Sequence, residues 1–381
     1  MIGAQQSIAW GIFLQTLRRP CMNQYCNAFV RISALKKMYC TSTDTTEEGI
    51  VGAVKSTHIP VMTKEVIERL NPVNGNIYVD MTFGAGGHTK EILKKAPRAK
   101  IFALDRDLVA YEMAKEMSEE GPYDITPLHG KFTDLPALFR DLGVKENSID
   151  GFIFDVGASS MQFDTANRGF SLSHNGPLDM RMNAQDPVTA ADAVNYLEFK
   201  DLKKIISRYG EEKLAEKIAT SIIEARQIMG KIETTKQLAD IIDTVFPKHN
   251  LDKLDRHAHV ATKTFQALRI FVNDELNELY NGLEVAQYYL KPMGHCAVIT
   301  FHSLEDRLVK LHFKGIAVDE ERHKSTRDWA KNNPLEFDAE EIKHLTQKRW
   351  KNIDGPISPS EMEVSFNPRS RSAKLRAASK P

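Results

Sequence analysis

The chain has 381 residues, 42% of them hydrophobic and 27% charged, which is enough apolar material for one large core or two smaller ones and excludes a low-complexity or fibrous protein. Basic and acidic side chains number 51 each, so no global charge holds a polyanion and any nucleic-acid site has to be a local patch. The signs are unevenly spread. Residues 1–43 contain Arg18, Arg19, Arg31, Lys36 and Lys37 without a single acid, leaving 46 basic against 51 acidic groups in the remainder.

That acid-free opening has the arginine, serine and amphipathic character of a mitochondrial transit peptide, which predicts import into the matrix. Its apolar run, residues 8–14, precedes Arg18, the reverse of the order in a secretory signal, and is far below the roughly 20 residues of a membrane span. Cys21, Cys26 and Cys40 lie in this leader. Cys296 alone remains beyond it, which excludes an internal disulfide or a cysteine zinc cluster there and suits a reducing compartment.

From about residue 58 strand and helix signals alternate: "GNIYVDMTF" then "HTKEILKKA", "KIFALDRD" then "LVAYEMAKEMSEE", "YDITPLHGKF" then "TDLPALFRDLG" with Thr133 as its N-cap, and the apolar "IDGFIFDVGASS". Repeated β-α units predict an α/β fold with a doubly wound parallel sheet. Residues 164–264 break the alternation with helical patterns and no convincing strand, a helical insertion. "TFQALRIFVNDELNELYNGLEVAQYYL" predicts one long helix or two, and "GHCAVITFHSLED" resumes the strands. A charged link follows near residues 319–341, and the last sixteen residues carry five basic groups and no acid, a basic tail. The predicted organisation is a leader (1–43), a first sheet segment (58–163), the insertion (164–264) and a second sheet segment with the tail (265–381), with no internal repeat.

The stretch "YVDMTFGAGGHTKEIL" carries the most information. Gly84, Gly86 and Gly87 permit positive φ in a tight strand-to-helix turn and let a ligand approach the backbone. A dinucleotide-binding enzyme shares the glycine turn and an acid after the second strand, here Asp105 in "ALDRD". Asp80 argues against it, because a carboxylate at the mouth of the helix repels a pyrophosphate and favours a ligand with a cationic end. S-adenosylmethionine has an ammonium and a sulfonium, a ribose diol for Asp105 and no phosphate. On these residues alone a dinucleotide or a purely structural turn stays open.

Eight stretches settle the direction. "HIPVMTKEVIERL", "DMTFGAGGHT", "ALDRD", "DVGASSMQFDTANRGFS", "GPLDMRM", "FQALRIFVNDEL", "ITFHSLEDR" and "NPRSRSAKLRA" occur in the order of the motifs of the bacterial small-subunit rRNA cytosine-N(4) methyltransferase family, over about residues 58–377. The chain resembles that family and, with its leader, a mitochondrial member of it. The resemblance implies a class I S-adenosylmethionine-dependent methyltransferase fold with a helical insertion, acting on N(4) of a cytidine in mitochondrial small-subunit rRNA. It also implies the assembling small subunit and its assembly factors as partners, and no membrane. It places Gly86, Gly87 and His88 at the donor, Asp105 on the ribose, Phe132 near the adenine, and Asp155 and Gln162 at the remaining contacts. Met161 stands where family members often have a proline, which loosens that turn without removing a polar group.

Cytosine's exocyclic amine is a poor nucleophile, so an enzyme has to align it and accept its N–H bonds as the new bond forms. Asp155 is the first candidate acceptor; His302 and Ser303 are the second. Arg168, Arg181, Arg269, Arg307, Arg369 and Arg371 suit phosphates, and Phe170 suits an unpaired base. Equally, His302 could be a satisfied strand-end residue and several of the arginines could pair with nearby acids. The histidines of "RHAHVATK" lack partners for a metal site. A rival function is a non-catalytic rRNA-binding assembly factor on the same scaffold, and a second is methylation of another nucleic acid.

Overall fold

The structure is a computed structural model and describes residues 60–246, 260–316 and 349–381; the leader, the histidines of "RHAHVATK" and the link near 319–341 lie outside them. The described residues fall into two compact units, one built from 60–157 and 276–381 and the other from Ala158–Glu275.

The first unit is a seven-stranded sheet in the order β3-β2-β1-β4-β5-β7-β6. The strands are β1 (Ile77–Asp80), β2 (Lys100–Asp105), β3 (Asp124–His129), β4 (Ile149–Asp155), β5 (Leu290–Thr300), β6 (Lys351–Ile357) and β7 (Lys374–Ser379). β1 to β5 run parallel, and β7 enters antiparallel to both β5 and β6. This topology is a class I methyltransferase sheet, as the alternating pattern and the motifs led one to expect.

The strands read as continuous apolar runs because both faces are covered; Ile101, Ala103, Ile153, Ala297, Ile299 and Leu375 belong to one buried cluster with Phe83 and Ile92. Cys296 is fully buried on β5, and burial pushes its thiol pKa far up.

Two local expectations change. Thr133 does not cap the helix Leu135–Asp141; it sits in a 3-10 turn, Phe132–Asp134, with its N–H and hydroxyl both donating to Glu278. The basic tail is not a tail. Residues 374–379 form a buried strand, and Arg376, 6% exposed, donates two hydrogen bonds to Asp306 at 2.7 and 3.1 Å. The long helical pattern resolves into two helices, Thr262–Asn273 and Glu275–Tyr289, divided at Asp274, whose φ of 50° lies in the left-handed region.

The second unit is helical, with Ala190–Tyr196, Phe199–Gly210, Ala215–Ile228, Thr235–Asp243 and Thr262–Asn273 as its principal helices. Leu202, Ile205, Ile206, Ile218, Ile222 and Leu268 supply the buried faces. Thr189 and Thr234 cap their helices in reciprocal boxes with Asp192 and Gln237. Its only bridge among the described residues outside the strands is Pro177 with Thr234.

Candidate active site

The carboxyl ends of β1, β2 and β4 bring Asp80, Gly84, His88, Asp105 and Asp155 together on one edge of the sheet, where open α/β sheets bind ligands. After Asp80 the chain turns tightly: Gly86 N–H donates to the Phe83 carbonyl at 2.8 Å, and the helix Gly87–Lys95 starts at once.

The three glycines do different things. Gly84, at φ 54°, has only the Thr82 carbonyl near the position of a side chain, at 3.9 Å, so its face is open. At Gly86, φ 74°, a Cβ would meet the Phe83 ring at 2.7 Å, and at Gly87 it would meet Pro60 at 2.8 Å. Gly86 and Gly87 therefore make room for the protein itself, and Gly84 is the glycine that leaves space above the turn.

Asp80 is 1% exposed, and its carboxylate accepts the Thr89 hydroxyl at 2.7 Å and the Thr82 N–H at 3.2 Å. Burial raises its pKa, and the nearby His88 and these hydrogen bonds work against that rise. Thr82 also accepts the backbone N–H of Asp155 at 2.7 Å, which ties the β1 turn to the end of β4. Neither threonine was singled out in the sequence, although both lie within "DMTFGAGGHT" and a hydroxyl beside an acid in a tight turn is a signal of this kind.

Asp105 is fixed by two backbone donors, Gly84 N–H at 2.8 Å and Asp107 N–H at 2.9 Å. Burial pushes its pKa up to about 6, with those two hydrogen bonds opposing the rise.

His88 is 5% exposed, with Nε2 3.4 Å from Asp155 Oδ2; neither ring nitrogen makes a directed hydrogen bond. Burial disfavours its charge, but the Asp155 carboxylate, with Asp80 and Glu91 behind it, outweighs burial and raises the imidazole pKa. Asp155 itself is 17% exposed, and its Oδ1 accepts no hydrogen bond from the described residues. A carboxylate oxygen left so is expensive, on the order of 1–3 kcal/mol or more, until a donor arrives.

Phe132 is half-buried, edge-on to Phe154 at 5.5 Å between centroids, with Gly282 packed close against it. Glu278, which holds Thr133 beside it, has its pKa raised by burial.

The other expected residues are placed differently. His302 caps the helix Ser303–Lys314: its Nδ1 accepts the Glu305 N–H, Glu305 accepts the backbone N–H of His302, and Nε2 lies 2.8 Å from Glu305 Oε1. His302 is thus a helix cap at the strand end whose buried Nε2, though near Glu305, makes no directed hydrogen bond among the described residues, and Ser303 is the exposed first residue of that helix. In the second unit, the Gln162 carboxamide oxygen accepts the Ser159 N–H at 3.0 Å. Arg181 pairs with Asp179 through two hydrogen bonds of 2.7 Å, and Arg269 with Glu275 through two of 2.9 Å. Arg168 donates to the carbonyls of Arg181 and Met182, and Phe170, 5% exposed, packs on Phe163. The guanidiniums of Arg168, Arg181 and Arg269 have internal partners; Arg307, Arg369 and Arg371 are exposed residues of the first unit.

The edge fits a cationic, hydroxyl-bearing ligand better than a phosphate. It has three carboxylates, an open turn at Gly84 and an acceptor oxygen with no donor among the described residues.

Comparison with known proteins agrees. The human 12S rRNA N(4)-cytidine methyltransferase is 48% identical over 336 residues, covering 85% of this chain and 82% of its own. A ribosomal RNA small subunit methyltransferase H from Parvibaculum lavamentivorans is 44% identical, covering 85% of this chain and 89% of its own. A Culex quinquefasciatus protein carrying the name of a receptor-type tyrosine-protein phosphatase, mosPTP-1, is 50% identical over 84% of this chain, which spans only 22% of that relative's length. The profile of the MraW methylase family matches residues 55–381, and the chain belongs to that family.

Proposed function

We propose that the protein transfers a methyl group from S-adenosylmethionine to N(4) of a cytidine in mitochondrial small-subunit rRNA, acting on the subunit as it assembles. The observation that carries this is Asp155: a carboxylate at the end of β4, its side chain 17% exposed, whose buried Oδ1 accepts no hydrogen bond from the described residues. The names of the human and bacterial relatives support the substrate.

S-adenosylmethionine supplies an electrophilic methyl on a sulfonium. Asp105 would accept from its ribose, Phe132 would lie beside its adenine, and the open face of Gly84, with Gly86, Gly87 and His88 in the same turn, would receive its amino-acid end. Asp80, held by Thr89 and Thr82, would lie beneath that end. The Asp155 carboxylate would accept an N–H of the cytosine amine, hold it more strongly as positive charge develops on nitrogen, and take the proton after the methyl has exchanged its bond to sulfur for one to nitrogen. His88 Nε2, 3.4 Å from Oδ2, orients the Asp155 carboxylate. Arg307, Arg369 and Arg371 face RNA phosphates.

Mitochondrial small-subunit rRNA from cells with and without the protein, digested to nucleosides and weighed, tests the reading. Loss of N(4)-methylcytidine is expected; an unchanged content overturns the enzymatic reading in favour of a binding-only factor. The matrix location rests on the acid-free leader, and residues 1–43 fused to a fluorescent reporter are expected to carry it into mitochondria. Diffuse cytosolic signal would overturn that.

A further inference from the structure

Two strands beyond Asp155 the sheet carries a feature that the chemistry above does not use. Asp155 pairs with Ile299, and Ile299 with Leu375; at about 4.8 Å per strand, Leu375 lies about 10 Å from Asp155 across the sheet. Because β7 is antiparallel, its first residue, Lys374, pairs with Thr300 at the carboxyl edge, the edge that holds the candidate site. The segment entering β7 is therefore at that edge.

This segment is a short helix, Glu361–Phe366, followed by a 3-10 helix, Pro368–Ser372. It is anchored from within. Ser370 is fully buried, its N–H and hydroxyl both donating to the Asn367 carbonyl, and Glu363 accepts the Met62 backbone N–H at 2.6 Å. Met62 follows Pro60 by two residues, and Pro60 is the side chain packed over Gly87 in the glycine turn.

On this anchored support Phe366 is 76% and Met362 70% exposed, one helical turn apart. A single exposed apolar residue is ordinary, but an adjacent aromatic and methionine on a braced element form an unpartnered platform. Its surroundings favour RNA over an apolar protein face. Of the acids on this helix Glu363 is taken up by the Met62 N–H and Glu361 lies at its start, while Arg369 and Arg371 are exposed immediately after Phe366; Arg376 is buried against Asp306 and takes no part. An exposed ring next to cations is how unpaired bases and their phosphates are held without sequence readout.

We propose that Phe366, supported by Met362, stacks on an unpaired nucleotide adjacent to the target cytidine, with Arg369 and Arg371 on the flanking phosphates. The proposal rests on the rRNA methyltransferase reading and names a residue for gripping its substrate.

The test uses the full chain and a short single-stranded RNA. Phe366→Ala is expected to raise KM for RNA on the order of ten- to a hundredfold, leaving kcat, donor affinity and thermal melting as in the wild type. Phe366→Trp is expected to keep the wild-type KM and to show quenching of the added indole by RNA, measured against the wild-type emission and without donor. An unchanged KM in Phe366→Ala, or an unquenched Trp, overturns the platform. Wild-type protein that transfers no methyl to RNA fails the functional reading instead, and the quenching experiment then still decides the platform.

Discussion

The first unit buries two histidines against carboxylates, and the two clusters are built on opposite principles. His312 is saturated: Nε2 lies 2.8 Å from Glu284 Oε1, Nδ1 accepts the Trp350 indole N–H at 3.2 Å, and Arg349 donates to both oxygens of Glu284, at 2.8 Å to Oε1 and 2.6 Å to Oε2. Among the described residues His88 has no directed hydrogen bond, and Asp155 Oδ1 has none either. A saturated cluster holds three chain segments together and has no valence for a ligand; an unsaturated one is ready for one. The pKa directions follow. Burial holds His312 below its ordinary value, and its partners pull Glu284 down to about 2 despite burial, whereas His88 is raised.

The largest effect that would break this contrast is at Asp155. Asp155→Asn keeps the shape and loses the charge, so single-turnover methylation of an rRNA fragment is expected to fall a hundred- to a thousandfold with an unchanged melting temperature. Saturating donor should not restore it; full rescue would move Asp155 from the amine to the donor's amino-acid end.

The saturated cluster should fail the other way. Glu284→Ala leaves buried His312 and partly exposed Arg349 unpaired, and a loss of about 3 kcal/mol in denaturant unfolding is expected, with the folded fraction still active. The pH dependence has a definite sign. Glu284 falls from its ordinary 4.5 to about 2, so its stabilisation is complete above 4.5 and is lost as pH drops towards 2. His312, also lowered, adds a loss of the same sign as pH falls below 6.5, while His88, raised, gives stabilisation present below 6.5 and lost as pH climbs through its folded value. In Glu284→Ala the acid-side loss should shrink; an unchanged acid limb would show that the cluster does not govern it.

Smaller effects sharpen the site. Asp105 must be ionised to accept ribose hydroxyls, and burial holds it at about 6, so donor affinity by calorimetry should weaken as pH falls through about 6 and level off above it. A flat profile between pH 5 and 8 would remove Asp105 from the ribose. The smallest is Gly84→Ala, which meets open space and only the left-handed strain of about 1–2 kcal/mol, while Gly86→Ala adds the collision with Phe83 and should destabilise more. Equal melting temperatures would contradict that division of labour.

Much of this was legible in sequence because parallel strands buried on both faces are continuous apolar runs; "KIFALD" and "IDGFIFD" leave little choice. The residues lining the carboxyl edge followed from strand ends. The final strand was not legible. "KLRAAS" is short, half small residues, with a buried arginine whose partner Asp306 is seventy residues away, and pairing at that range leaves no local pattern. Arg181 and Arg269 look like phosphate ligands in sequence because a guanidinium's partner is a matter of geometry: Asp179 and Glu275 are close in the chain, yet so are many acids that pair with nothing. Similarly, a glycine shows that a side chain is forbidden without saying whether protein or ligand forbids it, and only the Phe83 and Pro60 contacts distinguish the cases.

Cys296 turns the centre of the sheet into its own reporter. It sits on β5, paired with Phe152 on one side and Ala378 on the other, with no exposed surface. A chain lacking residues 1–43 has no other cysteine. A thiol reagent can therefore label such a protein only when the packing over β5 opens, and the rate of labelling under native conditions reports the free energy of that opening. Adding the donor, or an RNA, then reads out how tightly each closes the central strands, without a probe having to be engineered into the core.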